Sequence, residues 1–255
     1  MKNLARGLPL LALLLLLMPQ CIAQGLEGLK LQGEEFTYKF NPNKELINGI
    51  IIKPSGDGPF PAVVVNHGGG GDAKKCSHNE GSNFVQKSYV VIACDLTHSG
   101  KRDGGKKSTF GGSQENADRI MACVNVLESL PYVDAKKLCI YGISMGAFAT
   151  IGTCTQTDKF KAAAISAGGV GGNSGLGSLC DEGNVPKITT PFISCHGGDD
   201  DTVPLESAKK FKAIMDANNR ISELHIFEGI GHGVCKVKAV EVYALILEFF
   251  EKHLK

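Results

Sequence analysis

The stretch Tyr141-Gly142-Ile143-Ser144-Met145-Gly146 decides the fold. An apolar segment, Leu138-Cys139-Ile140-Tyr141, runs into it and reads as a strand, and the small residues of 147–153 follow at once and read as a helix. A Gly-x-Ser-x-Gly sequence at such a junction has a mechanical meaning. The chain must turn sharply from strand to helix so that the serine hydroxyl stands clear of the backbone. The flanking glycines remove Cβ atoms that would collide with the neighbouring strand or helix. Alone, the pattern is shared with ordinary glycine-rich turns; its place between a strand and a helix marks Ser144 as a candidate nucleophile.

Two later segments supply what a serine needs. Residues 191–204, Pro-Phe-Ile-Ser-Cys-His-Gly-Gly-Asp-Asp-Asp-Thr-Val-Pro, read as a strand ending in an acidic loop, and residues 226–233, Ile-Phe-Glu-Gly-Ile-Gly-His-Gly, as a strand ending in a loop that carries His232. A serine hydroxyl is a poor nucleophile until an imidazole accepts its proton. A carboxylate is then needed to fix the imidazole tautomer and to stabilise its charged form. Asp199, Asp200 and Asp201 are the carboxylates on offer.

With its nucleophile, acid and base in the chain order Ser, Asp, His, the sequence resembles the α/β-hydrolase superfamily, in its compact dienelactone-hydrolase-like branch. The resemblance runs from about Phe36 to the C-terminus. It rests on His67-Gly68-Gly69-Gly70 after an early strand, Pro131-Tyr132-Val133-Asp134 before the elbow strand, His-Gly-x-x-Asp-x-x-Val-Pro at 196–204 and Gly-x-Gly-His-Gly at 229–233. It implies an α/β fold with a mostly parallel central sheet, helices on both faces and no large cap domain, and it singles out Asp200 as the triad acid. There are departures. Lactone-opening members usually carry a cysteine nucleophile where this chain has Ser144. Related hydrolases often show Asp-x-Arg-Gly-x-Gly where this chain reads Asp95-Leu96-Thr97-His98-Ser99-Gly100.

Strand patterns fall at 36–39, 46–53, 61–66, 89–94, 138–141, 162–166, 191–195 and 224–227, with helical patterns at 114–130, 145–155, 205–218 and 236–253. Alternation of the two predicts a sheet covered on both faces with an antiparallel start. Loops after parallel strands gather at the carboxyl edge, where ligands bind. His67 to Gly70, Ser144, Asp200 and His232 all belong to that edge. The glycines after His67 let backbone N–H groups point at a developing oxyanion. The amides of Gly69 and Met145 are the expected hole, with Gly68 as the alternative. His67 is expected to hold this loop and His196 to pack and hydrogen-bond, while His78, His98 and His225 have no assignable partner.

At 255 residues and 43% hydrophobic content, the sequence can fill one core, and no repeat or linker divides it. The formal charge of +1, or −1 once Lys2 and Arg6 are removed, gives no reason to expect a nucleic-acid partner. The basic run at 100–107 reads as a solvated loop. Residues 1–23 read as a secretory signal peptide: Lys2 and Arg6 precede an apolar run at 8–18 that is too short to span a bilayer, and Ala23 offers cleavage before Gln24. The mature domain would then be 24–255. A lipid anchor on Cys21 is the lesser alternative, because Pro19 and Gln20 fit poorly before it.

Export would place eight cysteines in an oxidising compartment. Cys94, Cys139 and Cys195 lie on core strands and are expected free. Cys76 and Cys235 follow two active-site loops and are expected to pair. No His/Cys cluster suggests a metal, and no cofactor is implied. The expected activity is that of a secreted or periplasmic serine hydrolase acting on small or polysaccharide-linked esters, since the short, glycine-rich segment at 166–191 leaves the site open. A peptidase, a lactone hydrolase and a binding protein on a hydrolase scaffold are the alternatives. Peptidases of this type usually carry an additional propeller.

Overall fold

The computed structural model describes residues 26–40, 45–100, 109–171 and 177–255. The expected signal peptide at 1–23, Cys21 with its lesser lipid-anchor alternative, the basic run from Lys101 to Lys107 and part of the glycine-rich stretch lie outside them.

Nine strands form one sheet: β1 Lys30–Gln32, β2 Glu35–Phe40, β3 Glu45–Ile52, β4 Phe60–Asn66, β5 Val90–Cys94, β6 Val133–Ile143, β7 Ala162–Ser166, β8 Phe192–Gly197 and β9 Ser222–Phe227, in the order β1-β2-β3-β5-β4-β6-β7-β8-β9. The first three are antiparallel to their neighbours, and every pairing from β5 through β4 to β9 is parallel. Strands β4, β5, β7 and β8 are apolar almost throughout because both faces are covered. The period of two then divides their side chains between two layers. Val64, Ile140 and Ile165 meet Ile120, Phe148 and Phe211, which come from α3 (Gln114–Ser129), α4 (Met145–Cys154) and α5 (Leu205–Ala217). Val63, Tyr141 and Ile193 meet Phe84, Tyr243 and Phe250, from α2 (Ser82–Val85) and α7 (Ala239–His253).

The sheet is as the resemblance implies, with differences at its margins. β6 begins at Val133 rather than Leu138: Phe60 pairs with Val133, Ala62 with Leu138, and the register shifts between them, at Pro61. Proline has no N–H for the ladder, so an irregularity there is where a strand tolerates it. Helix α1 (Ala73–Asn79) and α2 have no counterpart in the sequence patterns. α1 buries only Ala73, Cys76 and Ser77, too few to show a helical period, and is started by Asp72, whose carboxylate accepts from Lys75 N at 2.9 Å. The helix expected over 236–253 is two, α6 (Val234–Val237) and α7, broken at Lys238.

Between β7 and β8 the described chain makes two short 3-10 turns, at Ser178–Cys180 and Val185–Lys187, with Cys180 and Val185 in the core. No cap domain stands there among the described residues, and none of their helices is long and apolar enough to cross a membrane.

Candidate active site

Ser144 sits at the junction of β6 and α4 with φ 52° and ψ −118°. A non-glycine residue held at positive φ costs on the order of 1–3 kcal/mol, and the surroundings must enforce it. They do so by close approach. A Cβ on Gly142 would lie 2.2 Å from Gly146 O, and one on Gly146 would lie 2.2 Å from Asn66 O. Ser144 N donates to Ser166 O at 2.9 Å, fixing the turn to β7. Below it, Asn66 Nδ2 donates to Thr150 Oγ1 at 2.9 Å, tying the end of β4 to α4.

The structure brings Ser144, His232 and Asp200 together from three loops at the carboxyl edge. His232 Nε2 lies 2.9 Å from Ser144 Oγ, and His232 Nδ1 lies 2.9 and 3.0 Å from the two carboxylate oxygens of Asp200. The Asp200 side chain is fully buried while His232 is partly open to solvent. Its Oδ1 accepts from Thr202 N at 3.0 Å and Val203 N at 2.9 Å, so the carboxylate is held in its turn before the imidazole adds to it. An acceptor-only carboxylate at Nδ1 makes that nitrogen the N–H and leaves Nε2 as a lone pair facing the serine hydroxyl. Of the rival acids, Asp201 accepts from Thr202 Oγ1 at 3.3 Å.

The glycine loop passes beside the nucleophile. A Cβ on Gly68 would lie 3.5 Å from Ser144 Cβ, whereas one on Gly69 would meet nothing within 4 Å. Met145 opens α4, where helix geometry leaves the first N–H groups without intrahelical acceptors. His67 holds the loop as the sequence suggests. Its Nδ1 donates to Gly68 O at 2.8 Å and its Nε2 accepts from Leu96 N at 3.0 Å. Three or more His, Cys, Asp or Glu side chains arranged to hold a metal ion are not found among the described residues.

Residues 47–244 match the model of the dienelactone hydrolase family. The chain belongs to the dienelactone hydrolase family. Among its relatives is the Bacillus subtilis protein described as uncharacterized peptidase YuxL, 23% identical over 82% of this chain. The fold is similar to that of Pyrococcus horikoshii acylaminoacyl peptidase (TM-score 0.71, 20% identity, 90% of this chain and 42% of the other). It is also similar to a cold-adapted esterase from an Arctic intertidal metagenomic library (TM-score 0.68, 17% identity, 90% of this chain and 98% of the other). The chain spans 42% and 37% of the lengths of the curated relatives it matches. Its fold is the α/β-hydrolase fold.

In this dienelactone hydrolase family member the stretch Asp95 to Gly100, which departs from the common pattern, supports the glycine loop from behind. His98 Nε2 donates to His67 O at 3.0 Å, Gly70 N donates to His98 O at 3.3 Å, and Gly100 N donates to Gly71 O at 3.0 Å. The His98 ring meets that of His67 edge-on with centroids 4.8 Å apart. Nothing in the sequence pairs His98 with His67, because the two loops are neighbours only through the pairing of β4 with β5.

Burial, and then the nearby His67, push the His98 imidazole down to about 4. The unfolded chain therefore takes up this proton first. The contribution is flat above about 6.5, and stability falls as pH drops from there towards 4, by on the order of 3 kcal/mol in all. His98→Gln, which keeps a donor for His67 O, should flatten that part of the curve in urea unfolding. An unchanged slope would assign the acid sensitivity elsewhere.

The expected Cys76–Cys235 disulfide is not formed. All eight described cysteines are buried free thiols. Burial, and next the charge of Glu80, raise both thiols, Cys235 to about 11. Each lies on the same side of the sheet, among Tyr141, Val234 and Tyr243, where a thiol behaves as a small apolar group. Alkylation of the unreduced protein should then find almost none of these eight described thiols reactive in the native state and all eight after unfolding. Six after unfolding would mean a bridge has formed. The other histidines without a sequence-assigned partner lie at the surface, His78 3.3 Å from Glu34 and His225 3.3 Å from Glu223.

Proposed function

We propose that this chain is an exported serine hydrolase that cleaves carboxylic esters through an acyl-enzyme on Ser144. The observation that carries the reading is the continuous hydrogen-bonded line from Ser144 Oγ through His232 to buried Asp200. In the first step Ser144 Oγ attacks the ester carbonyl carbon while His232 Nε2 takes the hydroxyl proton, and the carbonyl oxygen becomes an oxyanion. Asp200 stabilises the imidazolium. The Met145 amide, with that of Gly69 or alternatively Gly68, donates to the oxyanion. Collapse expels the alcohol, which receives the proton from His232, and water repeats the sequence on the acyl-enzyme to release the acid. No metal or cofactor enters these steps.

The short turns described between β7 and β8 favour an open mouth, suited to small soluble esters or acyl groups on a polysaccharide. The apolar run and flanking charges of residues 1–23 support export, with the mature chain starting at Gln24. A peptidase is the second reading, favoured by the peptidase names of YuxL and the Pyrococcus enzyme. The same Ser-His-Asp chemistry attacks an amide or a lactone. The ester reading is preferred because the match covers 98% of the Arctic esterase and only 42% of the Pyrococcus peptidase. Purified protein assayed on p-nitrophenyl esters, lactones and aminoacyl p-nitroanilides decides among them. Ester turnover with no anilide cleavage is expected, and the opposite ranking would make it a peptidase.

A further inference from the structure

The triad carboxylate has one more neighbour that the mechanism above leaves idle. His196, near the end of β8, is completely buried. Its Nε2 lies 2.9 Å from Val203 O and 3.4 Å from Asp200 Oδ2. Both partners are acceptors, so Nε2 must carry the proton. Nδ1 has no hydrogen-bond partner among the described residues, so a second proton there would be a buried donor facing no acceptor. The ring is therefore the neutral Nε2–H tautomer, a fixed dipole with its positive edge towards the acid.

The contacts close a ring around Asp200. Val203 N donates to Asp200 Oδ1 at 2.9 Å, and Val203 O accepts from His196 at 2.9 Å. The same imidazole reaches back to Oδ2, the oxygen that otherwise faces only His232 Nδ1 among the described donors. Backbone donors occupy one carboxylate oxygen. His196 is the side chain placed to fix the other.

We propose that His196 is a positioning residue for the Ser144–His232–Asp200 line. It anchors the turn 200–203 through Val203 O, and its N–H edge beside Oδ2 keeps the carboxylate oriented towards His232. The inference rests on the serine-hydrolase reading given above. A purely structural role would lower the fraction of correctly folded protein and leave each folded molecule as active as before. A positioning role lowers turnover per competent site.

The test compares His196→Leu, His196→Gln and His196→Asn with the wild type, each normalised to sites titrated by a fluorophosphonate. Glutamine can present an amide N–H near the position of Nε2; asparagine is too short to do so. Expected for His196→Leu is a fall in kcat per titrated site of about tenfold to a hundredfold, the usual effect of losing a group that orients a reacting one, with KM within about threefold. His196→Gln should recover most of kcat, and His196→Asn should not, which keeps the comparison usable if the leucine protein fails to fold. Equal kcat per site in all four proteins, or a change confined to KM, overturns the proposal. A wild type that takes up no fluorophosphonate overturns the serine-hydrolase reading itself, a result distinct from equal activity in labelled proteins.

Discussion

Ser144→Ala protein is expected to take up no fluorophosphonate, where the wild type gains one covalent adduct per chain. The probe places an oxygen where the oxyanion of the acyl reaction would lie, and only an oxygen nucleophile activated by His232 Nε2 at 2.9 Å can displace its leaving group. Ester turnover should fall by about four to six orders of magnitude, with a residue of roughly 10³-fold to 10⁴-fold over water from the amides and substrate binding alone. Melting should be little changed, because alanine occupies the same positive-φ position with the same Cβ. Labelling that persists in the variant would place the nucleophile elsewhere. A wild type that resists the probe, hydrolyses no ester, lactone or amide and yet binds a small molecule tightly would make the chain a binding protein on a hydrolase scaffold.

His232→Ala should come close to the serine variant in turnover, because the serine proton then has no acceptor. His196→Ala should retain measurable turnover, since its imidazole touches the acid and not the serine. The measurement is kcat/KM for one ester in the wild type and both variants. A His196 variant more damaged than the His232 variant would exchange the roles assigned to the two histidines.

Much of this site is legible in the sequence because the chemistry restricts which residues can stand there. The elbow glycines are needed because a Cβ at either would lie 2.2 Å from a backbone oxygen, and the chain order of serine, acid and histidine follows from the order in which loops leave a parallel sheet. The buried strands are equally plain, since covering both faces demands apolar residues at every position. What stays hidden depends on neighbours in space. The supporting role of His98 appears only when β5 is laid beside β4. The contact of His196 with Asp200 appears only when the acidic loop turns back over β8. α1 and β1 escape notice because one buries three residues and the other none. The expectation of a Cys76–Cys235 bridge was drawn from a shared edge of the sheet, and a shared edge does not bring two sulfur atoms into bonding geometry.

The strand order has a consequence for how the molecule is made. β4 is the first of the parallel strands to be synthesised, yet both of its partners, β5 and β6, come later in the chain, and β6 ends 77 residues after β4 at the doorstep of Ser144. Until Val133–Ile143 has emerged, Val63, Val64 and Val65 lie on a strand with an unsatisfied ladder edge, a template on which other nascent chains can pair. Such distant pairings are slow to find. The segment that at last covers this edge is the one that carries the nucleophile, so closing the sheet's centre and shaping the turn at Ser144 are a single event in the life of the chain.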